Sequence, residues 1–486
     1  MMKSIKYCFA TYLFTMVLCL MPVIGAEPPA RNPHQGKAWD FSHGPLAISS
    51  DNRFLVHEDG TRFLWIGDTA WELFHRLSRS EAETYLEKRR SQGFTVVQAV
   101  ALAEFDGLTR PTPAGFLPLI DNDPARPDIK EGPDNDYWDD IDFMVDLAAK
   151  KGLYIAMLPT WGDKVLKKWG QGPEIFNPEN AEKYGFFLGK RYGNSPNIIW
   201  VLGGDRPCER DSDYAVWRAM VKGIKAGEKT TEQGVKHLMT YHPMGGNSSS
   251  KWFHKDDWLD FNMFQSGHWA KDGANDKMVE HDRNLVPTKP VLDGEPRYED
   301  HPVRGDETHT QWFDDFDVRQ AAYWGIFSGA FGHTYGCHDI WMMYDGTNER
   351  QCADARTHWK EAVDLPGAWQ MLYVRRLLLG ENLLKEGWKP CQEVITDENP
   401  NGIGYAVACQ TNDLSKIFVY LPTGRTVALD LGKLSFNPKT ATFFWYNPRT
   451  GDKQKLERQT NGVFDPPGDE KRGNDWVLIV DMPKPH

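Results

Sequence analysis

Apolar, β-branched runs alternate with amphipathic, charged stretches over most of the chain, and this alternation constrains the fold more than any other feature. Eight runs have the character of strands, at residues 63–66, 95–101, 154–158, 198–202, 237–240, 261–264, 291–292 and 333–335. Helical patterns lie between most of them, at residues 80–90, 139–152, 179–192, 213–225 and 318–330. Strand–helix–strand units at this spacing predict a parallel sheet with right-handed crossovers.

Two α/β architectures fit this alternation, a doubly wound sheet and a closed barrel. No GxGxxG motif follows the first strand, so a dinucleotide-binding sheet would have nothing to hold a pyrophosphate. Polar and aromatic residues cluster directly after the strand runs, in GDTAW (67–71), PTWG (159–162) and GGDR (203–206). In a barrel these positions converge on the C-terminal face, where active sites are built. We therefore expect a (β/α)8 TIM barrel.

The pattern changes after Gly380. Short alternating segments then dominate, at residues 394–396, 404–409, 416–421, 441–446 and 476–480, with turn residues between them. This arrangement predicts a small all-β sandwich. We expect a barrel with an N-terminal extension over residues 27–385 and the sandwich over residues 386–486.

The first residues have the pattern of a secretory signal peptide. Lys3 and Lys6 precede an apolar run that ends in Gly25 and Ala26. The run is short for a membrane span, which needs about 20 residues. An uncleaved anchor is the alternative. We expect residues 1–26 to be removed, the protein to be secreted or periplasmic, and the mature chain to have no membrane span.

The cysteines indicate little about function. Five remain beyond the predicted signal peptide, and their spacing contains no CxxC or Cys/His zinc pattern. Cys391 and Cys409 lie on neighbouring predicted segments of the tail, so a bridge between them is left open.

Charge and motifs exclude several function classes. A net charge of −12 and a pI near 5.7 disfavour nucleic acid as a partner. No HExxH or GxSxG motif is present, so we expect no catalytic metal, no serine-hydrolase site and no cofactor. The chain has 19 Trp and 17 Tyr, whose rings suit the C–H faces of sugars but also fill large cores.

Two carboxylates stand at predicted strand outlets. Asp205 follows the fourth strand after two glycines, and Glu295 follows the seventh. Across a narrow barrel mouth they form the pair that glycoside hydrolysis requires, at about 5–5.5 Å apart for retention. We expect Asp205 to be the acid/base and Glu295 the nucleophile. The alternative is that each caps a helix or pairs with Arg206 or Arg297.

Other strand ends supply candidate sugar-binding groups, although each could instead be a satisfied polar residue of the barrel rim. These are Asp68, Trp71, Trp161, His242, Gln265, His268, Trp269, His333 and Tyr335. Asp68 and Asp293 are also rival positions for the catalytic carboxylates.

Four segments give the chain a resemblance to a known family. FLWIGDTAW (63–71), NIIWVLGGD (197–205), KPVLDGEP (289–296) and FGHTYG (331–336) resemble apiosidase-like proteins of glycoside hydrolase family 140. The resemblance covers about residues 45–480. It implies a barrel followed by a β-sandwich, retention, Asp205 as acid/base, Glu295 as nucleophile, and release of apiose from the pectin rhamnogalacturonan II.

The expected partner is thus a plant cell-wall glycan. A glycosidase acting on another sugar and a non-catalytic carbohydrate-binding barrel remain alternatives. Tail domains of this kind are often called collagen-binding by resemblance, and no residue of the tail demands that role.

Overall fold

The computed structural model describes residues 38–232, 235–347, 354–434, 440–457 and 461–482. The predicted signal peptide and Cys352 lie outside these residues. The strands of the N-terminal part are β1 (Leu46–Ile48), β2 (Leu55–His57), β3 (Trp65–Thr69), β4 (Val96–Val100), β5 (Tyr154–Leu158), β6 (Ile198–Gly203), β7 (Met239–His242), β8 (Asn247–Ser248), β9 (Asn262–Gln265), β10 (Val291–Asp293) and β11 (Gly332–Tyr335).

Eight of these strands form a closed parallel barrel. Strands β11, β3, β4, β5, β6 and β7 pair in that order, and β10 pairs with β9. Backbone hydrogen bonds bridge the two remaining gaps. The N–H of Asp260 donates to Met239 O at 2.9 Å, and that of Phe331 donates to Val291 O at 3.1 Å. The predicted TIM barrel is confirmed.

Helices surround the barrel strands, most of them on the outside and the short helix after β11 at the barrel mouth. They are α1 (Leu73–Arg76), α2 (Arg79–Ser91), α3 (Tyr137–Lys150), α4 (Pro178–Tyr192), α5 (Asp211–Glu228), α6 (Ser250–Phe253), α7 (Asn275–Arg283), α8 (Asp315–Phe327), α9 (His338–Trp341), α10 (Trp359–Ala362), α11 (Pro366–Gly380) and α12 (Leu383–Glu386). The five predicted helices correspond to α2, α3, α4, α5 and α8. At the start of α2, Ser78 and Glu81 form a reciprocal capping box, which fixes where the helix begins.

Aromatic side chains fill the barrel interior. The ring of Trp65 lies 6.0 Å from that of Phe261 and 6.2 Å from that of Phe331. Trp65 Nε1 donates to Thr334 Oγ1 at 3.0 Å, so its polar atom is satisfied. Because side chains alternate along a strand, the residues next to these inward ones face the helices.

The tail forms a small β-sandwich, as predicted. A six-stranded antiparallel sheet in the order β12-β13-β14-β19-β16-β17 lies beside a two-stranded ribbon of β15 and β18. The strands are β12 (Trp388–Pro390), β13 (Val407–Thr411), β14 (Lys416–Leu421), β15 (Val427–Ala428), β16 (Thr442–Tyr446), β17 (Lys453–Lys455), β18 (Val463–Phe464) and β19 (Trp476–Asp481).

One prediction for the tail needs correction, and one question that the sequence left open is answered. Residues 394–396 are not a strand. Gln392–Val394 is a 3-10 helix, and Ile395 makes only an isolated bridge to Leu429. Cys391 and Cys409 are both buried free thiols, so the bridge left open by the sequence is absent.

A buried ion pair joins the sandwich to α8. Arg319 donates to both carboxylate oxygens of Asp475, at 2.7 and 2.8 Å. Tyr420 donates to the same carboxylate at 3.0 Å, and its ring stacks on that of Tyr323 at 4.7 Å. The sandwich therefore packs against the outer helical layer. Within the described residues, no helix is both long and apolar enough to cross a membrane.

Candidate active site

Two glycines turn the chain sharply after β6 and deliver Asp205 to the barrel mouth. Gly203 and Gly204 have φ of +90° and +121°, where other residues are strained. A Cβ on Gly203 would lie 2.3 Å from His242 O, and one on Gly204 would lie 2.7 Å from Gly162 N. Asp205 itself has φ of +52°, a strained conformation typical of functional sites.

The Asp205 carboxyl group is held by two donors. Trp169 Nε1 lies 3.1 Å and Arg206 Nη1 lies 2.9 Å from its Oδ2. Burial and the negative charge of Glu295 raise the pKa of Asp205, and they outweigh the opposing effects of Arg206 and Trp169. The carboxyl group therefore tends to keep its proton, as a general acid must.

The groups around Glu295 shift its pKa in the opposite direction. It is buried, with His268 Nε2 at 2.9 Å from Oε1 and His242 Nε2 at 3.1 Å from Oε2. Burial alone would raise the pKa of Glu295, but the two imidazoles outweigh burial and hold that pKa well below its ordinary value. Glu295 is thus kept as a carboxylate.

His242 connects the two carboxyl-bearing residues. Its Nδ1 accepts the backbone N–H of Asp205 at 3.4 Å, so the proton of a neutral ring lies on Nε2, which faces Glu295. The ring packs against Trp71 at 5.1 Å and Trp161 at 5.9 Å. These contacts fix both the position and the tautomer of the imidazole.

His268 is fixed by aromatic neighbours. Its ring stacks on His301 at 4.3 Å and lies 4.3 Å from the ring of Tyr298. Both neighbours belong to the segment that follows Glu295. The segment thus holds the imidazole in line with the Glu295 carboxylate.

A cavity of about 220 Å³ contains both carboxyl groups. Its lining is Trp71, Glu104, Phe105, Trp161, Trp169, Asp205, Gln265, His268, Glu295, Tyr298, His301, Arg304, His338 and Trp341. Five buried polar atoms of the lining have no hydrogen-bond partner among the described residues: Trp161 Nε1, Gln265 Oε1, His268 Nδ1, Glu295 Oε2 and Tyr298 Oη. Buried polar groups are nearly always paired, so these atoms are suited to ligand hydroxyl groups.

Most predicted site residues are brought together. Asp205, Glu295, Trp71, Trp161, Gln265 and His268 line the cavity, and His242 lies directly behind Glu295. Trp269, on the chain next to His268, is exposed, while His333 is buried beside Arg297.

Asp68 and Tyr335 are not brought to the cavity, and the binding roles expected for them need correction. They are register partners on adjacent strands and face the helical layer. Asp68 accepts from Arg89 Nε at 2.6 Å and from Tyr85, both on α2. Tyr335 donates to Glu299 at 2.6 Å. Both side chains are therefore bonded to other residues of the protein, although Asp68 Oδ1 itself has no hydrogen-bond partner among the described residues.

The rival carboxylate Asp293 also points away. It accepts from the Ser266 hydroxyl at 2.7 Å and from Asn275 Nδ2 at 3.3 Å. Glu295 lies two residues further along the chain, past the end of β10. Side chains there no longer alternate between the two faces of a strand.

Several residues of the cavity were not predicted from the sequence. Glu104 accepts from Arg206 Nη2 at 3.0 Å, and burial, partly opposed by Arg206, raises the pKa of Glu104 to about 7. Arg206 thus lies between two carboxyl groups. Asp205 does pair with Arg206, as the alternative interpretation expected, and it also lines the cavity. Trp169, Tyr298, His301, Arg304, His338 and Trp341 were also missed. In the described part of the chain, no group of three or more His, Cys, Asp or Glu is placed to hold a metal ion.

Comparison with known proteins places the chain in a family. A family model described as "Apiosidase-like, catalytic domain" matches residues 49–385, and one described as "Putative collagen-binding domain of a collagenase" matches residues 390–481. No curated protein matches the chain.

Two solved structures resemble the whole chain. One, described as a glycoside hydrolase, is 35% identical with a TM-score of 0.82, covering 93% of this chain and 99% of its own. The other, described as a glycoside hydrolase of family 5 from Bacteroides vulgatus, is 33% identical with a TM-score of 0.81, covering 91% and 94%. A closed barrel, a cavity with two carboxyl groups and these matches lead to one conclusion: the chain belongs to the apiosidase-like family of glycoside hydrolases.

Proposed function

We propose that this protein is a secreted, retaining exo-glycosidase that releases apiose from rhamnogalacturonan II. The observation that carries the proposal is the pair of opposed carboxyl groups in one cavity. The pKa of Asp205 is raised and that of Glu295 is lowered, so one group holds a proton while the other is ionised. Carboxyl groups with separated pKa values fit the roles of acid and nucleophile.

The first step uses both groups. The Glu295 carboxylate attacks the anomeric carbon, and the bond to the leaving oxygen breaks as Asp205 donates its proton to that oxygen. The product is a glycosyl ester of Glu295 and a free alcohol on the rest of the glycan. His242 and His268 hold the attacking carboxylate in place.

The second step reverses the role of Asp205. The negative charge of Glu295 is one of the causes that raise the pKa of Asp205, and esterification removes that charge. The pKa of Asp205 then falls, so its carboxylate is suited to take a proton from water. That water attacks the anomeric carbon, breaks the ester and releases the sugar with its original configuration.

The cavity size supports removal of a single sugar. Its volume of about 220 Å³ is below the roughly 300–1,000 Å³ of sites for drug-sized ligands. The unpaired atoms of Trp161, Gln265 and His268 supply both donor and acceptor character for hydroxyl groups. A small, branch-terminal sugar such as apiose fits this description.

Azide rescue tests the assigned roles. With 4-nitrophenyl apioside, Glu295→Gly plus azide should yield an apiosyl azide of inverted configuration, because azide replaces the missing carboxylate. Asp205→Gly plus azide should yield the retained azide, because azide attacks the glycosyl ester instead of activated water. A wild-type product whose first-formed anomer is inverted in ¹H NMR spectra would contradict retention.

Secretion and domain boundaries belong to the same proposal. Residues 1–26 carry the basic start, apolar run and small residues of a signal peptide. We take residues 27–385 as the catalytic unit and 386–486 as the β-sandwich. Mass spectrometry of the protein from the extracellular or periplasmic fraction of its native host should give an N-terminus at Glu27. Retention of residues 1–26 there would contradict cleavage.

A further inference from the structure

We propose that Trp169 forms the subsite for the leaving group and also positions the acid Asp205. The inference rests on the proposed function and extends it to the part of the glycan beyond the bond that breaks. It assigns the ligand there as a ring with an apolar face, such as the sugar that bears the released residue.

Trp169 is an exposed aromatic residue at the edge of the cavity. It lies in the loop after β5, and 56% of its surface is exposed. Its Nε1 nevertheless donates to Asp205 Oδ2 at 3.1 Å. Because this exposed ring lines the cavity and is bonded to the acid, it is placed to contact a ligand that reaches the Asp205 carboxyl group.

Arg206 fixes the loop that carries Trp169. Its guanidinium carbon lies 4.8 Å from the centre of the Trp169 ring, and its Nε donates to Lys167 O at 3.3 Å. A Cβ on Gly170 would lie 2.4 Å from Arg206 Nη2, so the glycine permits this close approach. With the guanidinium over one face of the indole, the exposed surface is available to a ligand.

Proton transfer determines what contacts this surface. The proton of Asp205 must reach the glycosidic oxygen, so that oxygen lies within about 3 Å of the Asp205 carboxyl group. Both Trp169 and Arg206 donate to Oδ2, which leaves Oδ1 to carry the proton. The first ring of the leaving group is attached to that oxygen and therefore lies beside Trp169. Aromatic faces suit the C–H faces of sugar rings.

A matched pair of substrates tests the subsite. Methyl and benzyl apiosides have leaving alcohols of similar acidity, but only the benzyl group has a ring that can stack. The wild type should prefer benzyl over methyl apioside by about tenfold in kcat/KM, as expected for one aromatic contact. In Trp169→Ala the preference should fall to about one. A loss of activity through structure alone would lower both substrates equally.

Two further variants sharpen the test. Trp169→Phe keeps a ring but loses the N–H, so the benzyl preference should remain. Because the Trp169 hydrogen bond lowers the pKa of Asp205, the alkaline limb of the Trp169→Phe profile should move to higher pH.

Trp369→Ala is the control. Trp369 also donates to an aspartate, Asp364, at 3.1 Å, with a lysine near its ring, but lies on α11 outside the cavity. Its removal should change neither measurement.

The outcomes separate the inference from the proposed function. An unchanged benzyl preference in Trp169→Ala, beside an active wild type, would overturn the subsite and leave the function standing. A wild type that cleaves neither apioside and releases no apiose from rhamnogalacturonan II would overturn the proposed function, and the subsite would fall with it.

Discussion

His242 Nε2 lies 3.1 Å from the Glu295 carboxylate, while His242 Nδ1 accepts the backbone N–H of Asp205. One imidazole therefore touches the proposed nucleophile directly and the proposed acid through its main chain. This arrangement makes the two charge states interdependent, because moving the ring would alter the stabilisation of Glu295 and the strained turn at Asp205 together.

Replacing His242 tests how Glu295 is kept ionised. His242→Phe preserves ring packing against Trp71 and Trp161 but removes the N–H that faces the carboxylate. His242 is one of the groups that hold the pKa of Glu295 below its ordinary value, so that pKa should rise in the variant. In the proposed mechanism, activity requires ionised Glu295 and is lost as the pH falls through the pKa of Glu295. The acid limb of the kcat/KM profile should therefore move to higher pH.

His237 supplies the control for this experiment. It is also a buried histidine beside a glutamate, with Nδ1 at 2.8 Å from Glu228, but it precedes β7 at the opposite end of the barrel. His237→Phe should leave the acid limb unchanged. An acid limb that moves equally in both variants would contradict a specific role for His242.

Glu104 should affect the pKa of Asp205, because Arg206 lies between the two carboxyl groups. The pKa of Glu104 is about 7, so above that pH its negative charge opposes ionisation of Asp205. Glu104→Gln removes this charge and leaves Asp205 as the remaining carboxylate on Arg206, which lowers the pKa of Asp205. In the proposed mechanism, activity requires protonated Asp205 and is lost as the pH rises through the pKa of Asp205. The alkaline limb should move to lower pH, by up to about one unit.

An exposed carboxylate nearby serves for comparison. Glu174 pairs with Arg210 at 3.0 Å in the same loop region, outside the cavity lining. Glu174→Gln should not move the alkaline limb. If Glu104→Gln shifts that limb upward, the proposed link from Glu104 to Asp205 is incorrect.

Asp68 should matter for stability and not for catalysis. Asp68→Ala leaves the buried guanidinium of Arg89 without its counterion, at a cost of about 3–5 kcal/mol. The thermal unfolding midpoint should fall by several degrees, whereas kcat/KM of the folded enzyme below that midpoint should change less than about twofold. Glu179→Ala breaks an exposed ion pair with Lys183 and should have little effect. An Asp68→Ala protein with normal stability but lost activity would indicate that Asp68 does act in the active site.

The sequence predicts features that depend on the ends of strands. Asp205 and Glu295 each follow an apolar strand run, and in a parallel barrel such positions share one face whatever the details of packing. The order of strands and helices follows from the same alternation. These features require no knowledge of register or loop conformation.

The features that the sequence does not predict depend on which way a side chain turns. Asp68 and Tyr335 also end strands, but the pleat directs them to Arg89 and the helices, and that direction depends on strand register. Trp169 reaches the cavity from within a long loop, where no periodic pattern indicates its position. In the tail, residues 394–396 are β-branched and apolar, yet they lie where a 3-10 turn leads into a single bridge.

The most direct test of the account is release of free apiose from purified rhamnogalacturonan II by the wild type, Asp205→Asn and Glu295→Gln side by side, with equal thermal stability as the check on folding. The wild type should release apiose and each variant should lose about 10²-fold or more of this activity, because each substitution removes a group that bonds to or protonates the reacting atoms. Variants that release apiose at the wild-type rate would contradict the assignment of the catalytic pair.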